Sequence, residues 1–271
     1  MPADNQRQPA LFLPHGGGPC YFMDWTWGPA DTWDATMHFL EGLAATLPEA
    51  PKAILVISGH WEEPAFTASS APDPQLIFDY SGFPEHTYRL TWPAPGNPEL
   101  AARVNDLLTH AGLPAGLSPS RGFDHGVFVP LKIAFPEAQI PVVPLSLSSS
   151  LDPALHLAAG RALAPLRDEG VLRVGSGMSF HNLRGYFRQE TPERARAFDS
   201  WLTAAVESPV AERDALLTEW RNGPYAGYAH PREEHLIPLM VAAGAGGEAS
   251  GSRIFTDEPM GAAISAYRFD Q

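Results

Sequence analysis

Six short apolar runs, separated by stretches of helical period, constrain this chain more than any other feature. They are ALFLP (10–14), AILVIS (53–58), AFTASS (65–70), IPVVPLSL (140–147), VLRVGSG (171–177) and ISAYRF (264–269). Several are apolar and β-branched at successive positions rather than at alternate ones, the pattern of strands covered on both faces. Helical patterns fall between them at 32–47, 97–111, 153–168, 191–206, 210–221 and 233–243. This alternation implies an α/β fold with a central mixed, mostly parallel sheet flanked by helices.

The 271 residues show no internal repeat, low-complexity block or linker, so a single domain over 1–271 is expected, with 1–9 as a flexible N-terminal tail. The 28 prolines are scattered, as rigid turns of a folded domain would be. One proline-rich span, SGFPEHTYRLTWPAPG (81–96), reads as a long ordered loop, and ordered loops of that length are often functional.

A net charge of −13 argues against a partner that needs a basic surface, so neither nucleic acid nor an anionic membrane is expected. No apolar run approaches the roughly 18 residues that span a bilayer. The N-terminal segment MPADNQRQPA lacks the basic and apolar regions of a secretory signal, and a lone cysteine forms no internal disulfide. A cytoplasmic protein is the expectation; the oligomeric state is left open.

Ten histidines carry the chemical signal through their placement. His15 follows the first apolar run in LPHGGGP, His60 follows the second in SGHWEEP, and His181 follows a strand and glycine turn in GSGMSFHNLRG. Ligands of open α/β sheets bind outside the carboxyl ends of the strands, where these three fall. His125 sits in a glycine-flanked loop, RGFDHGVFVP, and His230 and His235 straddle an expected helix start in YAHPREEHLIPL. His38, His110 and His156 lie in helical patterns and need no function, whereas His86 in the long loop suits a pocket or the surface equally. Histidines gathered at strand ends suit metal binding or acid–base chemistry. One cysteine excludes a thiolate zinc site, and imidazoles accept zinc, iron, copper or nickel. The run around Ser176 and Ser179 lacks the G-x-S-x-G of a nucleophile elbow, and no GK[ST] follows the triple glycine as a phosphate loop requires.

In order, LPHGGGP, SGHWEEP, SGFPEHTYRLTWPAPG, RGFDHGVFVPL, GSGMSFHNLRGY and EEHLIPLMVAAGA resemble the class III extradiol ring-cleavage dioxygenases, and within them the 4,5-DOPA extradiol branch. The resemblance runs from about residue 10 to the C-terminus. It implies a mononuclear metal at one end of the sheet, held by His15, His60 and His235, with Glu234 as the rival third ligand. It also implies acid–base work by His181 and a second active-site imidazole at His125. Asp124 would orient His125 or cap a turn. Phe83, Tyr88 and Trp92 of the long loop, with His230, are candidates for the substrate side. The activity implied is insertion of O₂ into a catechol-type diol, DOPA-like or related, giving a ring-opened semialdehyde. Fe(II) is the metal expected for that chemistry, with Zn(II) able to occupy the same ligands. The GGGP after His15 departs from the shorter turn of many relatives. Two alternatives remain open: a zinc hydrolase using a His₃-bound hydroxide, and a binding protein that keeps the fold without catalysis.

Overall fold

A computed structural model describes residues 7–248 and 250–270. Among these residues one eight-stranded sheet is built from β1 (Ala10–Pro14), β2 (Ala53–Glu63), β3 (Phe66–Ser69), β4 (Ala115–Ser118), β5 (Val142–Ser148), β6 (Val171–Gly177), β7 (Gly251–Asp257) and β8 (Ile264–Phe269). Its order is β4-β3-β5-β2-β6-β1-β8-β7. The central block β5-β2-β6-β1 is parallel, while β8 runs antiparallel to β1 and to β7, and β3 antiparallel to β5. The chain is thus a single α/β domain on a mixed, mostly parallel sheet. Of the expected tail, residues 1–6 lie outside the described residues. Gln8 is buried, and its side-chain amide donates to the Glu49 carbonyl at 3.0 Å.

Alternate residues of each central strand enter different cores. Phe12, Leu55 and Ile57 face one side of the sheet, and Leu11, Leu13, Ile54 and Val56 the other, which is why these strands show no polar face. Helices α1 (Asp34–Gly42), α2 (Pro98–His110), α3 (His125–Ala134), α4 (Pro153–Leu163), α5 (Thr191–Glu207), α6 (Val210–Thr218), α7 (Ala226–Ala229) and α8 (Ile237–Ala245) cover the two faces. The first core takes residues from α2, α4, α5 and α8, and the second from α1 and α3. Each fully buried Leu, Ile or Phe here contributes roughly 1.5–3 kcal/mol relative to exposure.

Two boundaries differ from the sequence pattern in ways that bear on function. The segment after Asp124 is a helix rather than a loop: the Asp124 carboxylate caps α3 by accepting from Val127 N–H. Eight of the ten α3 residues are buried, so no amphipathic period betrays it. The last helix begins at Ile237, with proline in its first turn, rather than near residue 233. His235 therefore lies in the turn before it. Its carbonyl accepts from Met178 N–H at 3.0 Å and so ties that turn to the end of β6.

Candidate active site

Strands β2, β6 and β1 are adjacent, and the carboxyl end of each delivers a part of one cluster. β1 ends at Pro14, and His15 N–H continues the ladder onto Gly177 O at 3.1 Å. His60 lies in β2, within the stretch between Ile57 and Glu62 where its register with β5 shifts. Beyond β6 the chain turns through Met178 to His181, whose backbone N–H is fixed on Ala229 O at 3.0 Å. The 235 turn comes against this end because Gly177 has no side chain. A Cβ there would stand 2.1 Å from the His235 carbonyl oxygen.

Three imidazoles converge. His60 Nε2 lies 3.3 Å from His15 Nε2 and 3.2 Å from His235 Nε2. The opposite nitrogen of each ring faces a polar partner. Ser176 Oγ, which donates its own proton to Gly126 O, accepts from His15 Nδ1 at 3.3 Å. Glu234 Oε1 accepts from His235 Nδ1 at 2.9 Å, and Asp79 Oδ2 lies 3.7 Å from His60 Nδ1. Protons held on Nδ1 leave three Nε2 lone pairs directed at one another. Burial first, then the neighbouring imidazoles, holds His15 and His60 well below the ordinary histidine range. Burial likewise lowers His235 to about 4, although Glu234 opposes it.

Neutral imidazoles that crowd their lone pairs are unfavourable neighbours unless a cation joins them. The nitrogen spacing suits one ion with bonds of roughly 2.1 Å, and carboxylate or hydroxyl groups behind metal-binding histidines are the usual orienting arrangement. The donor set therefore fits a single metal ion. His60, Asp79 and His125, and likewise His181, Glu234 and His235, also bring potential ligand atoms within 4.8 Å of one another. In those groups the carboxylate already engages an imidazole Nδ1.

Two further histidines border the triad. His125, at the first turn of α3, lies 3.8 Å between ring centroids from His60 with the planes tilted by 46°, and its Nδ1 donates to Asp79 Oδ1 at 2.8 Å. Asp79 also accepts from His125 backbone N–H at 3.0 Å. Burial raises the Asp79 carboxyl pKa, but these bonds outweigh it and leave it below the usual value. His181 lies face to face with His235, ring centroids 3.3 Å apart, with its Nδ1 3.4 Å from Glu234 Oε1. Glu234 is held well below the carboxylate range, since His181 and His235 outweigh its burial. Each bordering imidazole thus has an acid behind Nδ1.

These five histidines line one end of a cavity of about 530 Å³. Its other walls are aromatic, among them Trp25, Trp27, Trp33, Phe83 and Phe187. The glycines after His15 make this wall possible. Gly16 and Gly18 adopt φ of 87° and 58°, and a Cβ on Gly18 would stand 2.9 Å from the Phe83 ring. The GGG turn thus presses bare backbone against the side chains that shape the cavity.

The structure does not bring every candidate here. His230 is fully buried against Phe198 and Trp220, with Nε2 on Ser179 O at 2.9 Å, and it does not line the cavity. Tyr88 stands behind Tyr80 and Phe83, its hydroxyl accepting from Phe83 N–H at 3.3 Å. Trp92 is core, its indole N–H donating to Phe135 O at 3.0 Å. Asp124 caps α3 and accepts from Ser58 and Arg121; the acid that orients His125 is Asp79. Sequence reasoning missed Asp79, whose signal is an acid between Phe78 and Tyr80 at the head of the proline-rich loop. It also missed the tryptophan wall, although three of seven tryptophans fall within residues 25–33. His38, His86 and His110 each bond a backbone carbonyl at the surface.

The family described as the catalytic LigB subunit of aromatic ring-opening dioxygenase matches residues 9–269. A protein named dioxygenase tasH, from Hapsidospora irregularis, is 39% identical over 96% of this chain and 84% of its own length. Proteins named 4,5-DOPA dioxygenase extradiol are 41% identical in Beta vulgaris, over 81% of this chain and 83% of theirs, and 36% identical in Escherichia coli, over 88% and 85%. The crystal structure of an uncharacterized Escherichia coli K12 protein superposes with a TM-score of 0.75 at 31% identity, covering 97% of this chain and all of the other. No helix among the described residues is long and apolar enough to cross a membrane.

Proposed function

Since the chain belongs to the LigB family of aromatic ring-opening dioxygenases, we propose that it cleaves a catechol-type diol, DOPA-like or related, in the extradiol manner at a ferrous ion held by His15, His60 and His235. The observation that carries this reading is the convergence of three Nε2 atoms at the floor of an aromatic cavity, with two further imidazoles beside them. Ferrous iron supplies what no side chain can, the redox coupling of a spin-paired ring to O₂. Zinc fits the same nitrogens without that capacity.

The chain's own groups then manage protons and charge. His181, with Glu234 behind Nδ1, takes a proton from the diol through Nε2 and returns it as the ring bond breaks. His125, anchored by Asp79, hydrogen-bonds the negative charge that develops on dioxygen as it is reduced. The carbon–carbon bond beside the diol opens, and both atoms of O₂ enter a semialdehyde acid, so the balance needs no other oxidant. The aromatic walls hold the ring and exclude water.

Oxygen uptake by iron-loaded protein over a catechol panel tests this, with a yellow semialdehyde expected alongside. Zinc-loaded protein should be folded and inactive. Equal turnover by zinc-only protein, or product formation without oxygen, would overturn it in favour of hydrolysis.

A further inference from the structure

The cavity combines a histidine-lined end with walls that, among the described residues, carry no cation. Neither lysine nor arginine is among its described lining residues, and the one carboxylate among them, Asp79, is committed to His125. Beyond the histidine cluster the walls are mostly apolar, among them Trp25, Trp27, Trp33, Phe83, Leu183 and Phe187, and the polar side chains beside them, Ser81, Tyr80 and Tyr186, are uncharged. Trp25 and Trp27 meet at 5.2 Å between ring centroids, and Trp27 and Phe83 at 5.5 Å, so the aromatic surface is continuous. On this wall the buried polar atoms without a protein partner are the indole N–H groups of Trp25 and Trp33, which are neutral donors. Five large apolar side chains stand out as exposed among the described residues, and three of them rim this cavity: Trp27 at 52%, Phe187 at 62% and Leu183 at 71%.

From this we infer that the natural substrate is a catechol bearing an uncharged, bulky apolar substituent, which lies along the tryptophan wall and covers the exposed rim. The inference rests on the ring-cleavage reading and narrows its diol to one without a carboxylate. A volume of about 530 Å³ leaves ample room beyond a single ring seated at the histidines. A substituent carboxylate there would lose water and meet aromatic faces, whose negative quadrupole repels an anion, with no guanidinium or ammonium among the described lining residues to receive it. An apolar group instead removes Trp27, Leu183 and Phe187 from water, a gain proportional to the area covered.

Matched pairs test it on the full iron-loaded chain: 4-propylcatechol against dihydrocaffeate, and 4-phenylcatechol against L-DOPA, with oxygen uptake as the assay. The member of each pair without an ionised group is expected to show kcat/KM higher by on the order of 10²-fold, since an unpaired charge is rejected more strongly than a missing methylene. Quenching of tryptophan emission in zinc-loaded protein, which reads binding without turnover, should rank the four ligands identically. Leu183→Arg, which adds a cation at the rim, should narrow the ratio at least tenfold. Turnover that favours the carboxylates, or a ratio near one, overturns this inference and leaves ring cleavage standing. No uptake with any of the four overturns both.

Discussion

Gly177→Ala is the sharpest test of how the site is assembled. The added methyl would stand 2.1 Å from the His235 carbonyl oxygen and 3.1 Å from the Phe12 ring, against an ordinary contact near 3.4 Å. The 235 turn must therefore retreat by about 1.3 Å, and it is held by the bond from Met178 N–H to that same carbonyl. Moving His235 so far breaks an Nε2 spacing of 3.2 Å on which a shared ion depends. Overpacking of this kind costs about 1–3 kcal/mol of stability. Misplacing a ligand should lower zinc affinity by roughly 10–100-fold, the range seen when groups that orient metal ligands are lost. Zinc competition titration against a chromogenic chelator, beside urea denaturation, measures both. Gly251→Ala is the control. Its methyl would crowd Val206 at 2.3 Å on an edge strand away from the cluster, so it should lose stability and keep zinc. Unchanged zinc affinity in Gly177→Ala, or equal loss in Gly251→Ala, would refute the argument that this glycine sets the position of His235.

His15→Ala, His60→Ala and His235→Ala should each lose metal and turnover together. His181→Ala should keep metal and lose turnover by about 10²–10⁴-fold, as metal analysis beside single-turnover kinetics would show. Glu234→Gln should weaken zinc binding roughly 10–100-fold without abolishing it, because it holds His235 Nδ1 and does not join the three Nε2 atoms; an empty site in that variant would make Glu234 the ligand. Asp79→Asn should retain metal and displace the pH profile of turnover, since the charge behind His125 is lost; an unchanged profile would remove Asp79 from the mechanism. Buried His156 stays neutral down to about pH 4, whereas the unfolded chain takes up the proton near 6.5. The unfolded state thus binds more protons between those values, and stability falls as pH drops through that window, by about 3 kcal/mol for this residue. His156→Gln should flatten that part of the curve of urea-derived stability against pH.

What the sequence made legible follows from what local chemistry can enforce. An apolar run that stops at a histidine marks the carboxyl end of a strand, so His15 could be placed just past β1 before any fold was known; His60 was read as following its strand but lies inside β2, which runs on to Glu63. Their convergence needed only the rule that parallel strands share a carboxyl edge. The 235 turn was harder to read because Pro231 and two glutamates imitate a helical first turn. The bond from Met178 N–H to the His235 carbonyl, formed with a strand some 60 residues away, is what keeps that turn out of the helix. Helix α3 was hidden for a related reason: burial on nearly every side erases the periodicity by which a helix is recognised. The edge strands β4 and β7 contribute partly exposed residues and take their pairing from neighbours, so their own runs carry little signal.

The carboxylates show a deeper division between the two kinds of information. Asp124 is adjacent to His125 in sequence, yet its oxygens cap α3 and meet Ser58 and Arg121. Asp79 is 46 residues away and holds the imidazole by both its ring and its backbone. Glu234, next to His235, does contact its neighbour, but from behind, through Nδ1. Adjacency in the chain therefore predicts contact for one acid and not for the other. The difference is backbone direction: at the start of α3 the cap side chain must turn back toward Val127 N–H, away from the imidazole that follows. In the turn before α8 the carboxylate does not have to reach back to cap a helix, and it meets the ring beside it, with His181 and Arg232 as its other partners. The aromatic side of the cavity depends still more on tertiary approach, because Trp33 and Phe83 pack where the bare backbone of Gly17 and Gly18 lets them come close.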